Sequence, residues 1–166
     1  LEFAKLSGAR VIVMDMVASR LEFVRDTMGV ADTVVATGSD ADEQTIARLT
    51  DGRMCDVVID ATGSNISMAR ALAFCSFGGR LVYVGITQAD LVFPHAPLMH
   101  RRELTLLASR NARSRDFTRI IELIEEGAID TQPWITHHVL FSETISVFPT
   151  LLEPASGVLK AVVDMP

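Results

Sequence analysis

The sequence is poor in the residues that make cross-links or hold metals. It has 2 cysteines, Cys55 and Cys75, and 4 histidines, His95, His100, His137 and His138. No CxxC, HxxxH or HxH pattern occurs, and no histidine stands at ligand spacing from a cysteine. The histidines therefore read as loop or surface residues, and no metal site is expected in this chain. The thiols read as small buried apolar groups in a reducing, cytoplasmic protein. There is no basic run, and the net charge is -6. This argues against a nucleic-acid surface, which needs clustered lysine and arginine. A phosphate-bearing small ligand stays admissible, because amides at helix N-termini hold phosphate without a large positive field. No apolar run reaches the ~18 residues of a membrane span. Residues 1–5 lack the basic start and cleavage site of a secretory signal.

Several catalytic signatures are also missing. There is no GxGxxG, no GxSxG and no P-loop lysine. Tyr83 has Thr87 four positions later and not a lysine, which excludes the YxxxK pair of short-chain reductases. No nucleophile, metal site or general base is evident. Glu125 and Glu126, and the acids among residues 40–43, read as solvated helix faces.

What is present is a regular alternation. Residues 1–8 read as the end of a helix, with Phe3 and Leu6 on one face and Gly8 as the stop. Short apolar runs at 10–15, 33–36, 56–60, 80–85 and 103–109 read as buried strands, with a further short one at 91–93 before Pro94. Helical spacing links Leu21, Val24 and Met28 behind a capping box at 19–22. It recurs through Ile46 and Leu49, over 66–77 up to Gly78 and Gly79, and through Phe117, Ile120, Ile121 and Ile124 behind Ser114. The tail carries a short helix near 142–152 and a last strand at 159–163. Strands alternating with helices predict an α/β fold, a doubly wound parallel sheet. No internal repeat, low-complexity stretch or linker stands out.

A doubly wound sheet binds ligands at the carboxyl ends of its strands. Asp15 ends the first strand, where an acid can accept hydrogen bonds from both ribose hydroxyls of an adenosine and repel a 2′-phosphate. It reads equally as a solvated strand-end acid. Arg20, five residues on, either lies along the adenosine or is a surface residue at a helix start. Ala61, Thr62 and Gly63 follow another strand; they are small enough for close backbone approach to a ligand, or simply form a β-to-α turn. Val84, Gly85 and Ile86 admit the same two readings. Ser109, Arg110 and Asn111 put three polar groups after an apolar strand, and Arg110 is the one singled out there.

Four segments in order, AKLSGARVIVMDMVASRLEFVRDTMGVADTVV, DVVIDATGSNISMARALAFCSFGGRLVYVG, LTLLASRNARSRDFTRIIELIEEGAID and PWITHHVLF, together resemble the coenzyme domain of zinc-type medium-chain alcohol, polyol and threonine dehydrogenases. The SRNA run points to the branch acting on polyols, sugar acids or threonine. The resemblance implies a Rossmann-like domain over residues 1–135, lacking its first strand and glycine-rich loop, and a segment at 136–166 that returns to an absent catalytic domain. It implies NAD as cofactor, preferred over NADP, and zinc held by ligands outside this chain. Asp15 and Arg20 would hold the adenosine ribose, and Ala61, Thr62 and Gly63 would line the adenosine side. Val84, Gly85, Ile86, Ser109 and Arg110 would surround the nicotinamide. Lys160 would stand near the pyrophosphate.

The implied reaction is hydride transfer between a secondary alcohol and NAD. Three rivals are a stand-alone NAD-sensing module, a methyltransferase, and a structural relative that acts through dimerisation. Residues 90–94 read as an apolar edge that pairs two copies into a homodimer. In the sheet order of this fold the strands at Val11 and Val57 flank the place of the first strand. Residues 159–163 are the candidate to fill it, and the chain alone is expected to bind NAD weakly or not at all and to be inactive.

Overall fold

The computed structural model describes residues 1–166, apart from the side chain of Pro154. It divides into two compact units, Arg10–Asn111, and Leu1–Ala9 together with Ala112–Pro166.

The first unit runs β1 (Ile12–Asp15), α2 (Ala18–Asp26), β2 (Asp32–Val35), α3 (Asp40–Leu49), β3 (Cys55–Asp60), α4 (Asn65–Arg70), β4 (Cys75–Tyr83) and β5 (Thr105–Ala108); α1 (Glu2–Leu6) precedes it in the other unit. All strand pairs are parallel. The strands form two pieces, β1-β2 and β3-β4-β5. The fold is α/β and Rossmann-like, as the alternation predicts. Leu21 and Val24 of α2 are buried, and α2 packs on β1 and β2. The core on the other piece gathers Ala71, Leu72, Cys75, Leu81 and Leu104, with Tyr83 and Phe93 packed against it. Burial, reinforced by Cys55, pushes the Cys75 thiol up to about 11, so it stays a protonated, inert core group.

Local chemistry shifts several predicted boundaries. α2 has Val17 as its N-cap and uses no serine cap, because the Asp15 carboxylate already accepts the Val17 amide at 2.8 Å. Ser39 does cap α3, accepting from Ala41 N at 3.4 Å. The helix expected over residues 66–77 is shorter: α4 gives way to a 3-10 turn, Ala71–Phe74, and β4 starts at Cys75. Gly78 and Gly79 do not end a helix; they lie inside β4. The register there jumps from Cys55↔Cys75 to Val57↔Arg80. A Cβ on Gly79 would sit 2.8 Å from the Ser76 carbonyl oxygen, so the bulge requires glycine. Residues 91–93 form no strand in the single chain. They lead instead into a π-helix, His95–His100.

The second unit holds α1, α5 (Ser114–Glu125), a 3-10 turn Gln132–Trp134, β6 (Ile135–Leu140), α6 (Thr144–Leu151) and β7 (Lys160–Asp164). α5 is capped through Asp116, which accepts the Arg113 amide at 2.7 Å, and Ser114 becomes its first helical residue. β1 pairs with β2 and β3 with β4, so among the described residues each keeps one unpaired edge. β7 does not fill that place. It pairs in parallel with β6, a strand the residue pattern did not reveal. Leu159 N donates to Thr136 Oγ1 at 3.0 Å and His138 Nδ1 meets Asp164 Oδ1 at 3.2 Å, which hold the register.

Candidate functional site

The carboxyl ends of β1, β3, β4 and β5 carry most of the residues singled out from the sequence. At the end of β1, Asp15 turns one carboxylate oxygen to the Val17 amide and the other to Arg20 Nη1, at 3.6 Å. Asp15 and Arg20 are thus brought together as a half-exposed ion pair. Arg20 screens the acid from one side. A carboxylate has about four lone-pair sites, so acceptor capacity remains for ligand hydroxyls.

Asp60 is the last residue of β3 and is buried. Its Oδ1 accepts from Thr62 N at 2.9 Å and from Thr62 Oγ1 at 2.7 Å; its Oδ2 accepts from Ser67 Oγ at 2.7 Å. Its main-chain oxygen accepts from Val84 N at 2.8 Å and Gly85 N at 3.0 Å. Tyr83 Oη donates to the Met68 carbonyl at 2.8 Å and ties α4 to the end of β4. The residue pattern had placed Asp60 only as a strand end. The available signal was an acid two residues before a threonine, which favours a side-chain-to-backbone turn.

Gly63 and Gly85 meet backbone to backbone. A Cβ on Gly85 would collide with the Gly63 amide nitrogen and lie 3.0 Å from Gly63 Cα. Gly63 itself has φ +69, and a Cβ there would lie 3.0 Å from the Ile86 carbonyl oxygen. Only glycine at both positions lets the two turns close into one surface. Ala61, Thr62, Val84 and Ile86 are exposed on or beside that surface. Ser109 N donates to Tyr83 O at 2.9 Å, which brings the end of β5 alongside. Arg110 is exposed, and Asn111 takes φ +54 to turn the chain away. Lys160 belongs to the second unit, as the first residue of β7.

The tetrapeptide Ala-Thr-Gly-Ser occurs twice, at 36–39 after β2 and at 61–64 after β3. This short repeat was not apparent from composition, but both copies fold alike. Ser39 N donates to Thr37 Oγ1 at 3.2 Å, and Ser64 N to Thr62 Oγ1 at 3.1 Å. The first copy is held by Asp42, which accepts from Thr37 N, Thr37 Oγ1 and Gly38 N at 2.7 to 2.9 Å. Burial raises the Asp42 pKa, but the Thr37 and Gly38 hydrogen bonds and Arg70 outweigh it, and the net shift is downward. The copies differ in surroundings: nothing lies within 4 Å of a Cβ placed on Gly38.

A hollow of about 570 Å³ is lined by His95, Met99, His100, Arg101, Glu103 and Leu104. It opens where the chain enters β5, the edge opposite the strand ends, and belongs to a different face. Among the described residues no group of three histidine, cysteine, aspartate or glutamate side chains is placed to hold a metal. No helix among them is long and apolar enough to cross a membrane. A glycine-lined surface at the carboxyl ends of parallel strands, with a strand-end acid elsewhere in the same unit, is the kind of arrangement that accommodates a dinucleotide.

Residues 1–126 match the family described as zinc-binding dehydrogenase. The chain belongs to that family. The resemblance to the coenzyme domain of medium-chain dehydrogenases is borne out with it. L-galactonate-5-dehydrogenase of Escherichia coli (strain K12) is 33% identical over 139 residues, covering 84% of this chain and 40% of that protein. L-arabinitol 4-dehydrogenase of Hypocrea jecorina is 27% identical over 164 residues, covering 97% of this chain and 43% of that protein. The solved 2R,3R-butanediol dehydrogenase from Bacillus subtilis superposes with TM-score 0.83 at 21% identity, over 98% of this chain and 46% of that chain, and supports the fold. The chain spans under half the length of these dehydrogenases.

The glycine contact gives a direct test. Gly85→Ala should lower stability by roughly 1–3 kcal/mol, as overpacking does when backbone is the neighbour. Thermal unfolding beside the unsubstituted protein measures it, and an unchanged midpoint would contradict the close approach.

Proposed function

We propose that this chain is the dinucleotide-binding part of a zinc-dependent dehydrogenase. The enzyme transfers hydride between NAD and a secondary alcohol of the polyol, sugar-acid or threonine-like class. The observation that carries this reading is the single surface made by the Gly63 and Gly85 turns, with Asp15 at the carboxyl end of β1 in the same unit. The substrate class rests on the family and on the sugar-acid and polyol dehydrogenases among its members.

The nicotinamide, when bound, accepts or returns the hydride. This chain's residues bind and orient. Asp15 receives the ribose hydroxyls, and its charge disfavours a 2′-phosphate. Arg20 is engaged with Asp15, which limits its use as a phosphate anchor and supports NAD over NADP. Ala61, Thr62 and Gly63 face the adenosine side. Val84, Gly85, Ile86, Ser109 and Arg110 border the nicotinamide and exclude water from one face of it. Lys160 approaches the pyrophosphate when the whole enzyme is assembled.

The donor sets among the described residues do not fit a catalytic zinc, so its ligands belong to the rest of the enzyme. In the strand order of this fold one parallel strand stands between β1 and β3, and each of them keeps an unpaired edge. For that reason we infer that the chain by itself binds NAD weakly and is inactive. The partition at residues 135 and 136, into a dinucleotide-binding domain and a returning segment, is part of the same proposal, as is a cytoplasmic location.

Residues 90–94 complete the reading. Val92 is largely exposed, while Phe93 is anchored in the core beside it. An extended segment held at one end and free to pair at the other supports a two-fold homodimer across residues 90–94. Light scattering at tens of micromolar should give a dimer, and Val92→Asp should give a monomer; a monomeric unsubstituted protein overturns this. The cofactor assignment is tested by Asp15→Ala in the full-length enzyme. It should lower kcat/KM for NAD and narrow the preference over NADP by up to a few kcal/mol. An unsubstituted enzyme that prefers NADP would sink the assignment.

A further inference from the structure

We infer that Asp60 is the positioning residue of the dinucleotide surface. This rests on the cofactor reading above. The carboxylate touches no ligand: it is buried beneath the turn. Both turns that form the glycine contact nevertheless hang from this one residue. Its side chain holds Thr62 through amide and hydroxyl and holds Ser67 in the first turn of α4. Its main-chain oxygen holds Val84 and Gly85.

The consequence for Thr62 is specific. Its hydroxyl donates to Asp60 and accepts from Ser64 N, so it is consumed within the turn. Thr62 therefore offers a ligand its methyl group and its backbone. Gly63 is pressed against Gly85 and Ile86 by the same arrangement. Loss of the carboxylate frees the Thr62 hydroxyl to rotate and lets the Gly63 backbone leave its contact with the β4 end.

The twin turn at residues 36–39 supplies a control built into the same chain. Asp42 likewise accepts from the amide and the hydroxyl of the threonine in its turn; its third bond comes from the Gly38 amide, where that of Asp60 comes from the Ser67 hydroxyl. That turn meets the end of β1 through one backbone bond, Ala36 N to the Asp15 carbonyl at 2.9 Å, but nothing lies within 4 Å of a Cβ placed on Gly38. β2 is an edge strand, paired only with β1. Both aspartates thus hold a threonine amide and hydroxyl, and they differ in whether the glycine of the turn is pressed against a second strand end.

The experiment compares Asp60→Ala, Thr62→Val, their double variant and Asp42→Ala in the full-length enzyme. The readouts are the NADH dissociation constant by fluorescence titration, kcat at saturating cofactor, and the thermal midpoint. Asp60→Ala and Thr62→Val should each weaken NADH by about tenfold or more, the loss of a buried charge-assisted bond. The double variant should be little worse than either single, because both break one network. The loss should fall mainly on cofactor affinity, with kcat at saturation reduced by a smaller factor than the affinity. Asp42→Ala should lower the thermal midpoint comparably and leave NADH affinity unchanged. If Asp60→Ala fails to fold, Thr62→Val and Ser67→Ala carry the affinity test alone. NADH binding unaffected by loss of Asp60 or the Thr62 hydroxyl overturns the inference, and so does equal weakening by Asp42→Ala. Failure of the unsubstituted enzyme to bind NADH overturns the cofactor reading itself.

Discussion

Two strand ends are held closer than side chains allow, and the organisation of this site depends on that approach. β3 and β4 run parallel, each turns into a connection at its carboxyl end, and the turns touch through Gly63 and Gly85 with no room for a Cβ on the latter. Close packing of this kind is stable only if the backbone polar groups beneath it are satisfied. Asp60 does that from both sides, with its carboxylate toward Thr62 and Ser67 and its carbonyl toward Val84 and Gly85. A ledge results whose closest approach is backbone alone, bordered by Ala61, Thr62, Val84 and Ile86, of the kind a dinucleotide can lie against.

Much of this was legible before any coordinates. The alternation of short apolar runs with helical spacings carries the α/β class, since each pattern has its own period. Asp15, Gly63 and Gly85 could be picked out because strand ends are where ligands bind in such sheets. Other features depend on tertiary context. Gly78 and Gly79 look like a helix stop in one dimension, yet the register jump in β4 needs them inside a strand. Asp60 looks like any strand-end acid until its burial and three accepted hydrogen bonds are seen. Residues 159–163 carry an apolar pattern that suits many partners, and only the pairing with Ile135–Leu140 decides which one they take. Residues 91–93 have strand character, but a strand needs a neighbour, and the single chain provides none.

The chemistry divides in the same way. The described residues supply surfaces, hydrogen-bond acceptors and one strand-end ion pair; they hold no zinc-ligand cluster. Membership of the zinc-binding dehydrogenase family, over residues 1–126, accounts for that division. On the proposed reading, this chain positions the nicotinamide, and a catalytic zinc would be held by ligands outside it.

The central claim is that cofactor lies along the ends of β3, β4 and β5, next to Asp15. Hydrogen–deuterium exchange of the full-length enzyme, with and without NAD, tests it residue by residue. The account predicts slowed exchange at residues 15–17, 61–64, 84–86 and 109–111, with residues 36–39 unchanged. Protection confined to residues 36–39 or to the hollow at residues 95–104 would contradict it.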